Sequence, residues 1–222
     1  MVLKIERNAR SLYPNLKVAI LMLKTDGEVK FSEGLLKLKK NLENKIRSKD
    51  TDVQKPGMIA GYNAFYKKFG SKVPMEFQIK SIMDGKVIPE VHPIITCMFM
   101  AELKNIVLTA GHDFEKVAGD VIVYCSEGGE EYTKINGKLE KLKKGDIFAT
   151  DGEGIISSVL FGPDQRTRIT DDTTNFMFMC YFPFRVEDSE IRGHMQDIIR
   201  YVEALGVDRQ NFGKIEIVYY RP

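Results

Sequence analysis

Cysteine is scarce in this 222-residue chain, and the three present, Cys97, Cys125 and Cys180, stand far apart. An odd count without a Cys-x-x-Cys pair excludes a disulfide framework and a zinc ribbon as organising devices. Each cysteine lies in an apolar run and reads as a small buried hydrophobe. Net charge is nearly absent as well: 33 basic against 31 acidic residues leave +2. No global field for nucleic acid is present, so RNA contact would have to come from local basic patches. No apolar run is long enough to span a bilayer. Met1 to Arg7 lacks the apolar centre of a signal peptide, so a cytoplasmic location is expected. Nucleophile elbow, phosphate loop and paired-histidine metal motif are all missing, and neither a metal nor a cofactor is expected. With no repeat, low-complexity stretch or convincing boundary, residues 1–222 are expected to form one domain.

What is present is a chain of alternating periodicities. Val2 to Arg7 and Lys17 to Leu23 read as strands, the second entered through Pro14-Asn15 and left through Asp26-Gly27. Ser32 is placed to cap a helix reaching about Lys49, with Leu35, Leu38, Leu42 and Ile46 on one face. Lys37, Lys39, Lys40, Lys45, Arg47 and Lys49 cover the rest. They form either an RNA-facing stripe or, as such runs more often do, a solvated face. A helix over 58–69 carries Tyr62, Phe65, Tyr66 and Phe69, a spacing that suits core better than base stacking. Further helices are expected over 75–83, from Pro93 through about Leu103, and from a cap at Asp188 or Ser189 to Leu205. Asn175 to Phe182 is continuously apolar, a strand buried on both faces. Lys214 to Tyr220 reads as a last strand.

From Leu108 to Thr170, short β-rich runs alternate with Gly, Asn and Asp turns, the pattern of sheet and hairpins. The fold class implied is α/β in the α+β sense. Mixed sheets or a sandwich come from the strands between Val121 and Phe182, and the helices pack around them.

The same stretch holds an ordered series: Ala110-Gly111-His112-Asp113, Gly119-Asp120, Gly129-Glu130, Ile135-Asn136-Gly137, Leu142 to Asp146, Ser157 to Gly162, and Ile169 to Thr173. In order and spacing this resembles the editing domain of the phenylalanyl-tRNA synthetase β subunit, formed by that subunit's third and fourth modules. The resemblance covers roughly Ile88 to Phe182, with 1–87 and 183–222 completing the unit. It implies a synthetase-type editing fold and a tRNA or aminoacyl-tRNA partner. In that family the module hydrolyses mischarged tyrosyl-tRNA and reads the phenol through a Glu, a His and an Asn. Here Met179, Ala110 and Phe99 stand at those positions, and Thr96 replaces a further polar residue on the helix. A site that reads a hydroxyl by hydrogen bonds cannot do so with Ala, Met and Phe.

The candidate ligand- or RNA-binding residues are Arg168, Arg166, His112, Asp113, Glu102, Phe99 and Gly162. Arg166 and Arg168 lie two apart, so an extended segment would present both guanidinium forks to one side, suited to a phosphate or carboxylate. Pairing with Asp164, Asp171 or Asp172 is the competing assignment. Gly111 would let the backbone turn sharply at His112-Asp113, although neighbours on a strand face opposite ways. Glu102 sits on an apolar helix and needs a partner or solvent. His92 and His194 read as structural or exposed. Two functions would use the pocket: a freestanding tRNA-binding module hydrolysing an aminoacyl ester other than tyrosyl, and a small-molecule-binding protein that kept the pocket but lost the tRNA. A partner-binding domain without pocket chemistry is a third. No membrane partner is expected.

Overall fold

In the computed structural model, which describes residues 1–219, the chain opens with strand β1 (Leu3–Ile5) and helix α1 (Arg7–Leu12). The strand expected to reach Arg7 stops earlier, because Glu6 turns its carboxylate onto the Arg7 amide and caps α1. Strand β2 (Lys17–Lys24) is followed by helices α2 (Glu33–Arg47), α3 (Pro56–Lys67), α4 (Pro74–Met83) and α5 (Pro93–Asn105). Next come the strands β3 (Thr109–Asp113), β4 (Val121–Cys125), β5 (Glu131–Thr133), β6 (Leu139–Lys141), β7 (Ile147–Thr150), β8 (Ile155–Ser158), β9 (Gly162–Pro163) and β10 (Asn175–Phe182). Helix α6 (Asp188–Glu203) and strand β11 (Glu216–Tyr219) complete the described residues; Tyr220, expected in the last strand, lies outside them.

The fold is α+β. One sheet runs β1-β4-β7-β8-β9, with β1 parallel to β4 and the other pairs antiparallel. The other runs β11-β2-β10-β3 and is antiparallel throughout, while β5 and β6 form a separate ribbon. The sheets are therefore not built only from strands between Val121 and Phe182. β2, from the N-terminal part, lies between β10 and β11, which pair its two edges, and Val18 to Leu21 and Leu23 are buried as in an inner strand.

Phe176, Phe178 and Phe182 of β10 are fully buried, each worth about 1.5–3 kcal/mol of burial. The sheets touch where Ser157 Oγ of β8 lies 2.5 Å from Tyr181 Oη of β10. Helix α3 braces both: Tyr62 donates to the Tyr181 carbonyl at 2.8 Å, and Tyr66 to the Val159 carbonyl at 2.6 Å. Its aromatic stripe is thus core.

Ser32 caps α2 as its position requires, accepting from the Leu35 amide at 3.0 Å. The lysine face is not uniformly solvated, however. Lys39 follows Leu35 by four residues, so the helical period turns it inward. It is buried between Glu43 at 3.1 Å and Glu90 at 3.0 Å, and it donates to the Ile88 carbonyl. Burial alone would push the ammonium down in pKa, but the contacts from Glu90 and Glu43 hold it above its ordinary value. Lys45 is bonded to Asp52, and Arg47 to the Ile82 and Lys86 carbonyls. These side chains tie loops to the helix and present no continuous basic stripe. The C-terminal helix is capped one residue before the expected Asp188 or Ser189: Glu187 is the cap, and with Glu190 it forms a reciprocal capping box.

Candidate functional site

A concavity of about 580 Å³ opens beside the segment that follows β9. Arg166, Arg168, Lys116 and Thr170 line it, with Gln165, Glu131 and Glu153 among the rest. The two arginines do reach one groove, but not through an extended strand. Residues 164–167 form a turn in which the Asp164 carboxylate accepts from the Arg166 amide at 3.0 Å and the Thr167 amide at 3.2 Å. Gly162, the expected turn residue ahead of them, is instead in β9, paired with Ser158. Its φ of +81° is one glycine adopts without strain, and its carbonyl accepts from Tyr132 Oη at 2.8 Å.

The two guanidiniums have opposite fates. Arg166 is bound: it donates to both oxygens of Asp151 at 2.7 and 2.8 Å and to the Lys116 carbonyl at 2.6 Å, and it lies 3.3 Å from Glu153. Against the burial of Asp151, which acts to raise it, the hydrogen bonds from Arg166 hold that carboxyl below its ordinary value. Arg168 is exposed at the groove with no hydrogen bond or ion pair among the described residues. Asp171 and Asp172, its expected competitors, do not bind it.

Behind the turn lies a buried relay. Thr167 Oγ1 donates its only proton to Asp164, so towards His112 Nδ1, at 2.7 Å, it must accept. His112 therefore carries its proton on Nδ1. Its Nε2 is a bare acceptor, fully buried and without a hydrogen-bond partner among the described residues. Burial is the main reason that the imidazole pKa is depressed to about 4; the Asp151 charge opposes this and Arg166 adds to it. His112 is thus a neutral side chain beneath the groove and does not line it.

Asp113, its neighbour, does not meet it. That carboxylate accepts from Thr173 Oγ1 at 3.0 Å, lies 3.0 Å from Lys116 Nζ, and caps the short 3-10 turn after β3. Gly111 makes no sharp turn; it is inside β3, where a Cβ would come within 2.9 Å of Ile169 Cδ1 and 3.1 Å of Met98 Sδ. Phe99 is half-buried on α5 and does not line the groove.

Glu102 belongs to a second polar cluster, at the start of β3, in which Glu102 and His194 are buried and Thr109 is half-buried. Its Oε1 accepts from the Thr109 amide at 2.6 Å, and desolvation raises its pKa to about 8. Thr109 Oγ1 lies 2.9 Å from His194 Nε2 and 3.3 Å from Cys180 Sγ. His194 is completely buried, and that burial drives its pKa to about 4. Sequence reasoning missed the roles of Thr167 and Asp151; Asp164 was expected only as an ion-pair partner of the arginines, and it does lie 3.9 Å from Arg166 Nε. The only local signal was Asp164 three residues before Thr167, the spacing of a side chain that folds back on its own backbone. Among the described residues no group of three or more His, Cys, Asp or Glu is placed to hold a metal, and no helix is long and apolar enough to cross a membrane.

A family model described as the B3/4 domain matches residues 73–214, well over half of the chain. The chain belongs to the B3/4 domain family. That domain is found in the phenylalanyl-tRNA synthetase β subunit, so the chain is related to a tRNA-synthetase module. Among solved structures it is similar to an N-terminal fragment of the phenylalanyl-tRNA synthetase β-subunit from Pyrococcus horikoshii, with 12% identity and a TM-score of 0.46. The likeness covers 97% of this chain and 50% of the other, so the chain spans about half the length of that fragment. No curated protein matches the sequence. Within this B3/4 domain, Ala110 and Met179 sit opposite each other on β3 and β10 and are closed into the core. The groove of the B3/4 domain opens elsewhere, over the turn after β9.

Proposed function

We propose that this B3/4 domain binds the aminoacyl end of a tRNA in the groove at Arg168 and hydrolyses an aminoacyl ester other than tyrosyl. The observation that carries the reading is the free guanidinium of Arg168, held at a polar concavity by a turn that Asp164, Thr167 and His112 make rigid. A fork of donors without an internal partner suits a terminal phosphate, while Thr170, Gln165 and Thr133 offer hydrogen bonds to a ribose or an aminoacyl group. Arg166 holds the turn and leaves ligand contact to Arg168. Residues 1–72 are proposed to work with the family region as one unit, a reading supported by the pairing of β2 with β10 and β11.

A second reading has its own support. Glu131, Glu153 and Asp164 interleave with the basic residues of the groove, which disfavours a long polyanion track. A small molecule with an anionic group would use Arg168 alone.

The deciding experiment presents purified protein with a panel of aminoacyl-tRNAs at several salt concentrations. The expected result is weak binding that falls steeply as salt rises, with ester hydrolysis for at least one non-tyrosyl member. Absent or salt-insensitive binding sinks the tRNA reading and leaves the small-molecule one.

A further inference from the structure

Away from the groove, a cleft of about 370 Å³ lies among α2, α3, α4 and α5. Its walls include Ile46, Ile59, Ile79, Leu103 and Met83, the last of which is 41% exposed. Lys49 and Lys55 are the charged residues lining it, and no carboxylate does. Neither ammonium has a hydrogen bond or ion pair among the described residues. Asp52, whose charge reaches Lys55, is bonded to Lys45 instead. The volume falls within the range typical of small-ligand pockets, roughly 300–1,000 Å³.

The backbone around the cleft is also unusual. Among the described residues, the non-glycine residues with positive φ are Lys49 and Ile106, both at +56°. Both line this cleft. A left-handed isoleucine is rare because its branched Cβ crowds the backbone, and such outliers gather at ligand sites. Each follows the end of a helix, α2 or α5. The carbonyls left there are already engaged: Ile46 accepts from Lys49, Lys45 from Asp50, and Glu102 from Ile106. Among the lining residues only Lys49 and Lys55 carry a full charge. On the opposite side, α3 starts at Pro56 with no side chain capping its first amides.

We propose that this cleft binds a small amphiphile, an apolar body seated between Ile59, Ile79 and Leu103 and an anionic head held by Lys49 and Lys55. Apolar walls exclude a polar body such as a sugar or nucleotide, which would leave its hydrogen-bonding groups unpaired. The cationic rim sets the sign of the head. A neutral or cationic amphiphile would gain the same burial but no charged contact, so the head discriminates.

The test titrates methyl-labelled protein with decanoate, decyl phosphate, decanol and decyltrimethylammonium, followed by methyl NMR and calorimetry. Both anions are expected to shift the methyls of Ile59, Ile79, Leu103 and Met83, and their relative affinities assign the head as carboxylate or phosphate. Decanol and the cation are expected to bind at least about tenfold more weakly, the scale of one charge-assisted hydrogen bond. Replacing both lysines, Lys49→Met with Lys55→Met, should bring decanoate down to the level of decanol. These side chains reach the surface, so folding is expected to persist, and the melting curve verifies it. Failure of both anions to bind, shifts away from the cleft, equal affinity for decanol, or unchanged decanoate affinity in the double variant each overturns the proposal.

Discussion

His112 Nδ1 lies 2.7 Å from Thr167 Oγ1, and both side chains are fully buried. Because the Thr167 hydroxyl also donates to Asp164, this contact fixes the tautomer of the imidazole. Thr167→Val removes the acceptor and leaves a buried N–H without a partner. A loss of about 1–3 kcal/mol in urea denaturation is expected. Thr167→Ser keeps the hydroxyl and should cost less than about 1 kcal/mol. Nitrogen NMR of the parent should show Nδ1 protonated and Nε2 bare; the opposite tautomer would contradict the relay.

The two arginines of the groove should separate cleanly. Arg168→Met is expected to leave the melting temperature unchanged and to weaken binding of the aminoacyl-tRNA that the panel identifies by about 1.5–3 kcal/mol, the scale of a charged hydrogen bond. Arg166→Met strips the partner from the buried carboxylate of Asp151, so it should cost about 1–3 kcal/mol of stability before any effect on ligand. A stably folded Arg168→Met protein with parental affinity would remove Arg168 from the site.

Glu102 gives a pH signature. Its folded pKa, near 8, is raised above its ordinary 4.5 by burial. The folded state therefore binds the proton more tightly than the unfolded chain. That contribution to stability is fully present below pH 4.5 and is lost as pH rises through 8. Glu102→Gln keeps an oxygen for the Thr109 amide but cannot ionise. Its stability relative to the parent should improve steadily between those limits, measured by chemical denaturation at stepped pH. A flat difference would mean that Glu102 is already charged in the folded protein.

Tyrosine should not be a preferred substrate. Ala110 and Met179 face each other inside the core, and Phe99 is half-buried outside the groove. Ala110 and Phe99 have no hydrogen-bonding group in their side chains, and the Met179 sulfur, a weak acceptor, is already taken by the Tyr181 hydroxyl at 3.3 Å. Deacylation of tyrosyl- and phenylalanyl-ester tRNA should proceed at similar rates, and a strong tyrosine preference would require a recognition group elsewhere.

Much of the fold is local and can be read from the chain. Ser32 announces α2, Pro74 announces α4, and the unbroken apolar run from Phe176 to Phe182 announces a strand buried on both faces. Lys39 is harder, because its neutralising partners include Glu90, half a hundred residues on, and a charge run looks the same whether it faces water or carboxylates. The candidate site divides in the same way. Two basic residues at positions 166 and 168 are plain in the sequence. That one is spent on Asp151 and the Lys116 carbonyl while the other stays free depends on contacts spanning 15 and 50 residues. The Thr109–His194 contact, 85 residues apart, left no pattern at all.

The placement of β2 also sets a timetable. Its partners, β10 and β11, lie more than 150 residues further along the chain, so during synthesis this apolar strand is made long before anything can pair with it. Both edges of β2 are open to other chains until β10 is made, and the edge that β11 covers stays open until Glu216 to Tyr219 has left the ribosome. Folding yield should therefore depend on how well nascent chains are kept apart. A fragment beginning at residue 73, although it holds the whole matched family region, would expose on β10 the edge that β2 covers and should aggregate.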